Sequence, residues 1–485
     1  MTHVLDSLIV GAGISGLSLA HTLHHNTNQS SLNILVSEHQ GRVGGNITTV
    51  SEGEFLWEEG PNSFSPTPEL LKLAVEVGLK PELVFADRKL PRYVYWNGQL
   101  MAVPMSPPAL VGTKLISSAG KLRALTGALG FVKPAMGQQL SQQQGEETIS
   151  QFFERHLGSE VLERLVEPFV SGVYAGNPQQ LEIRSAFAKV ARMAYSGGGL
   201  AAGAVLSRRQ NKSTQKPIDP SIPQTKPGEL GSFRQGIGAL PKAIAEQLGD
   251  QLKLNWQLTR LDRSENQTYR AEFSTPEGIK QVETRTVVLT TPAYVTAEIL
   301  KPLQPDVSQT LAEIPYPPVA CVVLAYPISA LKQKLTGFGN LVPRKQGIRT
   351  LGTIWTSSLF PGRAPEGWQV LTSYIGGATD PEIGELEDYQ IVEAVHQDLR
   401  QILLKEDISP KVLAVHLWKR AIPQYNLGHQ QRLQRINQGL QNLPGLYLCS
   451  NYIDGVALGD CVKRSLSRAE EIQTFLAQLA ITHSF

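Results

Sequence analysis

The sequence predicts an α/β fold centred on a doubly wound, Rossmann-like sheet that is assembled from separated pieces of the chain. Two observations lead to this prediction. A strand–glycine turn–helix–strand pattern opens the chain, and similar patterns return after residue 230 and again after residue 445. Alternating strands and helices are typical of a parallel sheet with helices on both faces. The long interruptions between the pieces indicate inserted segments.

The opening pattern carries a glycine fingerprint. The apolar run 8–10 leads into Gly11-Ala12-Gly13-Ile14-Ser15-Gly16, a helical pattern follows, and a second apolar run ends before Glu38. Glycines at these spacings allow a tight turn, let a pyrophosphate approach the backbone, and let the helix pack on the strand. Glu38 follows Gly16 by 22 residues, which is where this fingerprint places a carboxylate for ribose hydroxyls. The unit therefore predicts a dinucleotide site.

A second glycine segment distinguishes a flavin from a nicotinamide cofactor. Gly41-Arg42-Val43-Gly44-Gly45-Asn46 follows Glu38 closely, and Gly60-Pro61-Asn62-Ser63 comes a little later. A nicotinamide dehydrogenase has no need of this second loop, whereas flavoproteins of the amine-oxidase superfamily carry an R-x-G-G segment here. An ordinary surface turn is the alternative interpretation. We expect FAD.

Composition excludes several classes of partner. The formal net charge is only +2, too small to indicate nucleic acid as a partner. Cys321, Cys449 and Cys461 are too few and too scattered for a disulfide framework or a zinc site, and we predict no metal. We see neither a signal or transit peptide nor an apolar run of transmembrane length. A cytoplasmic protein, free or bound peripherally to a membrane, is expected.

The predicted domains are interleaved. Nucleotide-domain patterns return at Phe233-Arg234-Gln235-Gly236-Ile237-Gly238, and the chain closes with a strand, a glycine loop and a helix. The segment that precedes Phe233 is rich in Ser, Gln, Lys and Pro. We predict that it is a mobile loop with no part in binding or catalysis. The predicted boundaries are 1–86, 231–295 and 421–485 for the three pieces of the nucleotide domain, 87–205 for a helical insertion, 206–230 for the loop, and 296–420 for a substrate domain.

The helical insertion begins with a basic, apolar segment. Between Asp87 and Glu146 there is no acidic residue, whereas seven basic residues are interleaved with apolar ones. This pattern suits an anionic lipid surface or an acidic ligand. A solvated face that covers a helical subdomain explains it equally well. The basic residues are Arg88, Lys89, Arg92, Lys114, Lys121, Arg123 and Lys133.

The most specific motifs lie further along the chain. On these motifs, and over essentially its whole length, the chain resembles the oxygen-dependent protoporphyrinogen oxidases, most closely those of plastid type. They are VEPFVSGVYAGNP (166–178), GFGNLVP (337–343), LGTI (351–354), FPGRAP (360–365), IPQY (422–425) and GVALGDC (455–461).

The resemblance implies a three-part fold and an activity. The parts would be the FAD domain, a mixed-sheet substrate domain and a helical membrane-binding insertion. The activity would be oxidation of protoporphyrinogen IX to protoporphyrin IX, with dioxygen reduced to hydrogen peroxide. Flavin N5 would accept the hydride, so no side chain is predicted to be catalytic. The chain would correspond to a bacterial or cyanobacterial protein or to a mature plastid form, bound peripherally to a membrane, and a homodimer is compatible with it.

The resemblance also assigns site residues. Arg92 matches an arginine that pairs with a substrate propionate, Leu341 and Ile354 match residues that sandwich a pyrrole ring, and Tyr374 falls where plant forms carry a stacking aromatic. A surface arginine and ordinary strand core are the alternatives for the first three. Phe169 and Gly172 would lie beside the macrocycle. The FAD contacts would be Gly11, Ala12, Gly13, Ile14, Ser15, Gly16, Glu38, Arg42, Gly60, Pro61, Asn62, Ser63, Leu258, Asn451, Val456, Ala457 and Leu458.

Some relatives carry tryptophan where this chain has Gln430, so a cofactor contact there is not assigned. Cys449 and Cys461 do not stand in the cysteine motif of covalent amine oxidases, so the FAD is expected to be non-covalent. Three other functions remain open. They are another superfamily enzyme such as an amine oxidase or carotenoid desaturase, a coproporphyrinogen oxidase, and a non-enzymatic flavoprotein that binds a partner.

Overall fold

The computed structural model describes residues 4–25, 32–131, 146–197, 199–204, 206, 219–405 and 408–482. Lys133 of the basic segment and residues 207–218 of the predicted mobile loop lie outside these ranges. The strands within them are β1 (Leu5–Val10), β2 (Ile34–Ser37), β3 (Thr49–Glu52), β4 (Phe55–Glu58), β5 (Leu83–Ala86), β6 (Arg92–Trp96), β7 (Gln99–Ala102), β8 (Leu230–Phe233), β9 (Leu252–Lys253), β10 (Gln257–Arg263), β11 (Tyr269–Thr275), β12 (Gly278–Leu289), β13 (Val319–Pro327), β14 (Gly339–Leu341), β15 (Thr350–Ile354), β16 (Trp368–Gly376), β17 (Lys411–Trp418) and β18 (Leu446–Leu448).

The helices alternate with these strands in the nucleotide domain and cluster in the insertion. A five-residue π-helix at Leu162–Val166 directly precedes the seventh helix. The α-helices that lie wholly within the described residues are α1 (Ile14–His25), α2 (Pro68–Glu76), α3 (Pro107–Gly112), α4 (Ser118–Ala128), α5 (Ile149–Leu157), α6 (Ser159–Val161), α7 (Glu167–Tyr174), α8 (Ile183–Ala186), α9 (Ala188–Gly197), α10 (Ala239–Leu248), α11 (Ala293–Leu300), α12 (Pro305–Ala312), α13 (Thr356–Leu359), α14 (Asp388–Ile402), α15 (His429–Leu440) and α16 (Leu458–Thr482).

The first sheet is the predicted doubly wound sheet. Its parallel part runs β18–β12–β1–β2–β9, and the N-terminal half of β12 continues into an antiparallel extension with β11 and β10. Apolar side chains of α1, α10 and α16 pack on one face, and those of α11, α12 and α15 pack on the other. Burial on both faces explains why β1 and the end of β12 are almost continuously apolar. The prediction of an α/β fold is confirmed.

The second sheet has the order β17–β13–β16–β15–β14–β6–β7. One of its faces is covered by α14, whose Ile391, Val395 and Leu399 pack against Val322 and Leu324 of β13. The other face turns toward the hairpin β3–β4 of the nucleotide domain, where Phe55 and Trp57 pack against alternate residues of β13. Since neighbouring residues of a strand point to opposite faces, the second sheet lies between α14 and the nucleotide domain.

Two predicted boundaries differ from the structure. The segment 87–205, predicted to be helical, begins with β6 and β7, which belong to the second sheet because β6 pairs in parallel with β14. The segment 296–420, predicted to be the substrate domain, begins with residues of α11 and α12, which pack on the first sheet through Val307 and Leu311. Sequence pattern alone did not reveal either long-range contact.

The insertion between β7 and β8 is helical where it is described. Phe152, Val170 and Ile183 from different helices share one core cluster, and a capping box between Thr148 and Gln151 begins α5. Within the described part of the chain, none of the helices combines the length and the apolar character needed to span a bilayer. Large apolar side chains of this region nevertheless lie exposed on and beside α3 and α4: Met105, Val111, Leu122, Leu125, Leu129 and Phe131.

Candidate active site

The glycine turn between β1 and α1 is shaped by close backbone approach. Gly11 has φ +108°, and a Cβ built on Gly16 would lie 2.0 Å from the carbonyl oxygen of Gly11. Thr290, at the end of β12, donates its hydroxyl to the carbonyls of Val10 and Gly11 at 2.9 and 3.1 Å. A Cβ on Gly13, in contrast, would meet nothing within 4 Å. The turn is therefore tightly packed at Gly11 and Gly16 and leaves open space at Gly13. Ala12, Ile14 and Ser15 are the neighbours of Gly13 and Gly16 in this turn.

Glu38 lies at the mouth of this turn. One carboxylate oxygen accepts a hydrogen bond from the amide of Ala12 at 2.8 Å, and the other accepts one from the amide of Gln40 at 2.9 Å. The side chain is buried. The amide of Trp256 donates to the Glu38 carbonyl at 2.8 Å, which brings Leu258, two residues further on, to the same end of the sheet. A carboxylate in this position is suited to accept ribose hydroxyls.

The second glycine segment lies directly against the first. The amide of Gly44 donates to the carbonyl of Ala12 at 2.9 Å, and Gly13 and Gly44 form an isolated parallel bridge. The carbonyl oxygen of Asn46 is so close to Gly60 that a Cβ there would lie 2.0 Å from it. The fold therefore brings together three loops that are separate along the chain: the glycine fingerprint, the segment 41–46 that carries Arg42, and the loop 60–63.

Asn62 points a polar group into this region. Its side chain is 5% exposed, and its Nδ2 donates weakly to the Thr356 hydroxyl at 3.5 Å. Its Oδ1 is buried and has no hydrogen-bond partner within the described residues, and such an orphaned acceptor is expensive unless a ligand satisfies it. Together with the open space over Gly13 and the carboxylate of Glu38, this donor and acceptor set fits a dinucleotide cofactor. Pro61 and Ser63, on either side of Asn62, are partly exposed.

The chain closes over the same region. The loop that contains Asn451, Val456 and Ala457 leads into α16, which begins at Leu458 and packs on α1. The hydroxyl of Ser465 donates to the carbonyl of Ser15 at 2.8 Å, so the first turn of α1 packs against α16 about two turns from the start of α16. Helix N-termini favour negative charge. Gln430 instead donates to Ser185 at 2.9 Å on α8, so its amide is engaged with the helical insertion.

The predicted substrate residues share one face of the second sheet. In one row of the strand register, Arg92 lies opposite Gly339 and Gly339 opposite Ile354; two residues further on, Leu341 lies opposite Gly352 and Gly352 opposite Tyr374. Residues that are paired across strands, or two apart along a strand, project from the same face. Arg92, Leu341, Ile354 and Tyr374 therefore all project from the face that turns toward the nucleotide domain.

The helix α7 borders this face. A Cβ on Gly172 would lie 2.4 Å from Cδ2 of Leu341, so Gly172 allows α7 to approach the sheet closely. Phe169, one turn earlier, is 42% exposed and packs beside Phe187, with 6.0 Å between ring centroids. The structure thus brings Gly172 to Leu341 and leaves Phe169 at the edge of the helical insertion.

Arg92 is a cation with few partners. Its Nη2 donates to the carbonyl of Gly228 at 3.3 Å, and its guanidinium carbon lies 5.3 Å from the ring centroid of Phe338. No carboxylate among the described residues forms an ion pair with it. Burial lowers the pKa of Arg92. Since Arg stays charged in proteins, this partly desolvated guanidinium is prepared for an anionic ligand.

Sequence reasoning did not identify a buried charge cluster beneath the loop 60–63. The carboxylate of Glu58 accepts from the Thr49 hydroxyl and from the amide of Ile237 at 2.9 Å. Arg363, 1% exposed, donates to Ser232 and to the carbonyl of Phe233, each at 3.0 Å. Burial raises the pKa of Glu58 to about 7, against the opposing hydrogen bonds and the charge of Arg363. The FPGRAP motif marked Arg363, but nothing in the sequence indicated that its partners are β8 and Glu58.

Glu58 should make the stability of the protein depend on pH. Because the pKa of the buried carboxyl is raised to about 7, the folded protein keeps this proton nearly to neutral pH, whereas a glutamate in the unfolded chain releases it near its ordinary pKa of 4.5. The free energy of unfolding should therefore fall as pH rises through this window, by about 3 kcal/mol at most. In Glu58→Gln this loss should disappear, so that the variant gains on the parent protein between pH 5 and pH 7.5 in denaturant titrations. Glu54→Gln, at an exposed site in the same hairpin, is the control, and parallel pH profiles for Glu58→Gln and the parent would contradict the assignment.

Known proteins resemble this chain over nearly all of its length. The pattern of the flavin-containing amine oxidoreductases matches residues 14–473. The chloroplastic protoporphyrinogen oxidase of Nicotiana tabacum is 44% identical, over 98% of this chain and 87% of that protein. The coproporphyrinogen III oxidase of Bacillus subtilis (strain 168) is 28% identical, over 97% of this chain and 98% of that protein. Among solved structures, a protein from Exiguobacterium sp. 255-15, provisionally described as a protoporphyrinogen oxidase, superposes with a TM-score of 0.79 at 23% identity and covers 98% of this chain and 100% of its own.

Proposed function

Since the chain belongs to the flavin-containing amine oxidoreductases, and within them to the protoporphyrinogen oxidases, we propose that it oxidises protoporphyrinogen IX to protoporphyrin IX. FAD is the cofactor and dioxygen is the electron acceptor. The observation that carries this proposal is the 44% identity to a plant protoporphyrinogen oxidase over 98% of the chain. The predicted enzyme class and cofactor are confirmed by the same relationship.

The division of labour between cofactor and protein follows from the chemistry of the substrate. When bound, FAD supplies a two-electron acceptor that dioxygen can reoxidise, with release of hydrogen peroxide. The chain itself has to hold an apolar macrocycle in a fixed orientation and to keep water away from it. Leu341 and Ile354 provide an apolar sheet face for the pyrrole rings, and α7 closes against this face at Gly172.

Arg92 anchors the substrate at the edge of this face. A guanidinium offers two parallel N–H donors to a carboxylate, and a propionate presents that group. Arg92 lies in the same row as Ile354 and has no carboxylate partner among the described residues. A propionate on Arg92 would leave the attached pyrrole ring above Ile354 and Leu341.

The flavin is held without a covalent bond. The three cysteines are free and buried. The thiol of Cys321 donates to the carbonyl of Glu58 at 3.7 Å, and Cys449 lies 3.6 Å from the Ser465 hydroxyl. The cofactor contacts proposed for the glycine turn, Glu38, the loop 60–63, Leu258 and the closing loop all come from surfaces that converge on the same end of the first sheet.

The helical insertion binds a membrane surface. Its exposed apolar side chains on and beside α3 and α4 alternate with Lys114, Lys121 and Arg123, and no acidic residue interrupts them before Glu146. An apolar surface bordered by cations suits the interface of an anionic bilayer. Peripheral attachment suits a substrate that is itself apolar at its centre and charged at its propionates. A homodimer stays a prediction that no contact in the structure tests.

The substrate can be tested directly with the purified holoenzyme in air. Protoporphyrinogen IX should give the absorbance and fluorescence of protoporphyrin IX, together with three hydrogen peroxide molecules for the six hydrogens removed. Coproporphyrinogen III, with more propionates, is the comparison substrate because the Bacillus relative is named for it. Faster turnover of coproporphyrinogen III would replace the proposed substrate, and failure to oxidise either porphyrinogen above the rate in air alone would refute the function.

A further inference from the structure

Three consecutive carbonyl groups that lead into the loop 60–63 are each held by a side chain of the second sheet. The thiol of Cys321 on β13 donates to the carbonyl of Glu58 at 3.7 Å, the indole N–H of Trp418 on β17 donates to the carbonyl of Glu59 at 2.9 Å, and the hydroxyl of Tyr374 on β16 donates to the carbonyl of Gly60 at 2.9 Å. These three strands are neighbours in the sheet. We call this arrangement the carbonyl clamp.

The carbonyl clamp fixes the orientation of the loop 60–63 at the Gly60 peptide. On the other side of Gly60, the carbonyl of Asn46 leaves no room for a side chain, so the Gly60 peptide is held from two directions. Pro61 follows, and proline fixes its own φ and restricts the residue before it. The orientation of the Gly60 carbonyl is therefore passed on to Asn62, the residue with the orphaned buried acceptor.

Tyr374 also belongs to the substrate face. It lies two strands from Leu341 in the same row of the register, separated from it only by Gly352. Its ring can therefore meet a macrocycle on Leu341 while its hydroxyl holds the cofactor loop. A phenylalanine in this position would offer the ring alone.

We propose that Tyr374 is a positioning residue that sets the flavin relative to the substrate, because its hydroxyl holds the Gly60 carbonyl at the end of the carbonyl clamp. This inference rests on the proposed placement of FAD against the loop 60–63. It assigns the hydroxyl a task that substrate stacking does not require.

The test compares Tyr374→Phe with Tyr326→Phe. Tyr326 lies on β13 and projects from the opposite face, where its hydroxyl is hydrogen-bonded to Nδ1 of His396 at 2.7 Å, so the control loses one buried hydrogen bond of the same sheet without touching the clamp. In Tyr374→Phe the dissociation constant for FAD should rise about three- to tenfold, the effect of one neutral hydrogen bond. The visible absorption bands of the bound flavin should shift and kcat should fall, while KM for protoporphyrinogen IX stays close to that of the parent because the ring remains. Tyr326→Phe should change neither FAD affinity nor the flavin spectrum.

Two outcomes would overturn the inference. One is a Tyr374→Phe protein with the FAD affinity and flavin spectrum of the parent, and the other is an equal response in Tyr326→Phe, which would indicate general loosening of the sheet. Asn62→Ala separates this inference from the placement on which it rests. If Asn62→Ala weakens FAD binding and Tyr374→Phe does not, the clamp alone is refuted; if neither variant weakens it, the placement of FAD against this loop is refuted as well.

Discussion

Replacing Gly13 by alanine should leave the protein folded and strongly weaken its binding of FAD. A Cβ at this position meets no atom of the chain within 4 Å, and the backbone does not require glycine there, so the substitution introduces no clash into the protein itself. The same Cβ would occupy the space through which a pyrophosphate approaches the turn. Inserting a methyl group into a filled site costs roughly 1–3 kcal/mol, about a five- to hundredfold loss of affinity.

The measurement is FAD binding to the apoprotein by fluorescence quenching, together with the rise in melting temperature that added FAD produces. Gly112→Ala is the matched control, since a Cβ on Gly112 also meets nothing within 4 Å and α3 lies far from the turn along the chain. If Gly13→Ala kept the FAD affinity of the parent, the open space over Gly13 would not be the cofactor site.

Arg92→Ala should raise KM for protoporphyrinogen IX by about ten- to hundredfold, because a hydrogen bond to a charged group contributes roughly 1.5–3 kcal/mol. Flavin content should remain that of the parent. Arg92→Lys should recover only part of the loss, since an ammonium group cannot reproduce the planar fork. Steady-state kinetics with the holoenzyme, combined with flavin quantitation, would measure both effects.

Arg88→Ala tests whether the effect belongs to a single residue or to the charge of the whole segment. Arg88 is exposed in the same basic segment, and its removal should leave KM unchanged. An Arg92→Ala protein that binds substrate normally but turns over slowly, or that loses its flavin, would show that Arg92 serves catalysis or structure instead of anchoring a propionate.

Local signals account for the part of the fold that the sequence predicted well. The glycine fingerprint, the apolar strands on either side of it and Glu38 lie within one short stretch of chain, and each has a steric or electrostatic reason to be where it is. The structure accordingly has β1, α1 and β2 in the predicted order. The interleaving of the nucleotide domain was also readable, because parallel strands need long connections and leave recognisable patterns when they return.

The predicted domain boundaries differ from the structure where a long-range contact determines the sheet to which a strand or helix belongs. The sequence predicts a helical insertion where the structure has β6 and β7, because nothing near these strands in the sequence reveals that β6 pairs with β14, more than two hundred residues away. The predicted substrate domain includes most of α11 and all of α12, because the sequence pattern of an amphipathic helix does not indicate which sheet the helix will pack on.

By itself, the sequence determined the nucleotide fold and the family, and it predicted a set of site residues. The tertiary structure alone decided how these residues lie relative to one another. Arg92, Leu341, Ile354 and Tyr374 share a face because the strand register aligns them. Glu58 and Arg363 come together because both are hydrogen-bonded to the segment 232–237, which contains the end of β8. Burial and strand register depend on the whole chain. The hydroxyl of Tyr374 is an example, since the sequence shows a tyrosine and the fold supplies the Gly60 carbonyl to which it donates.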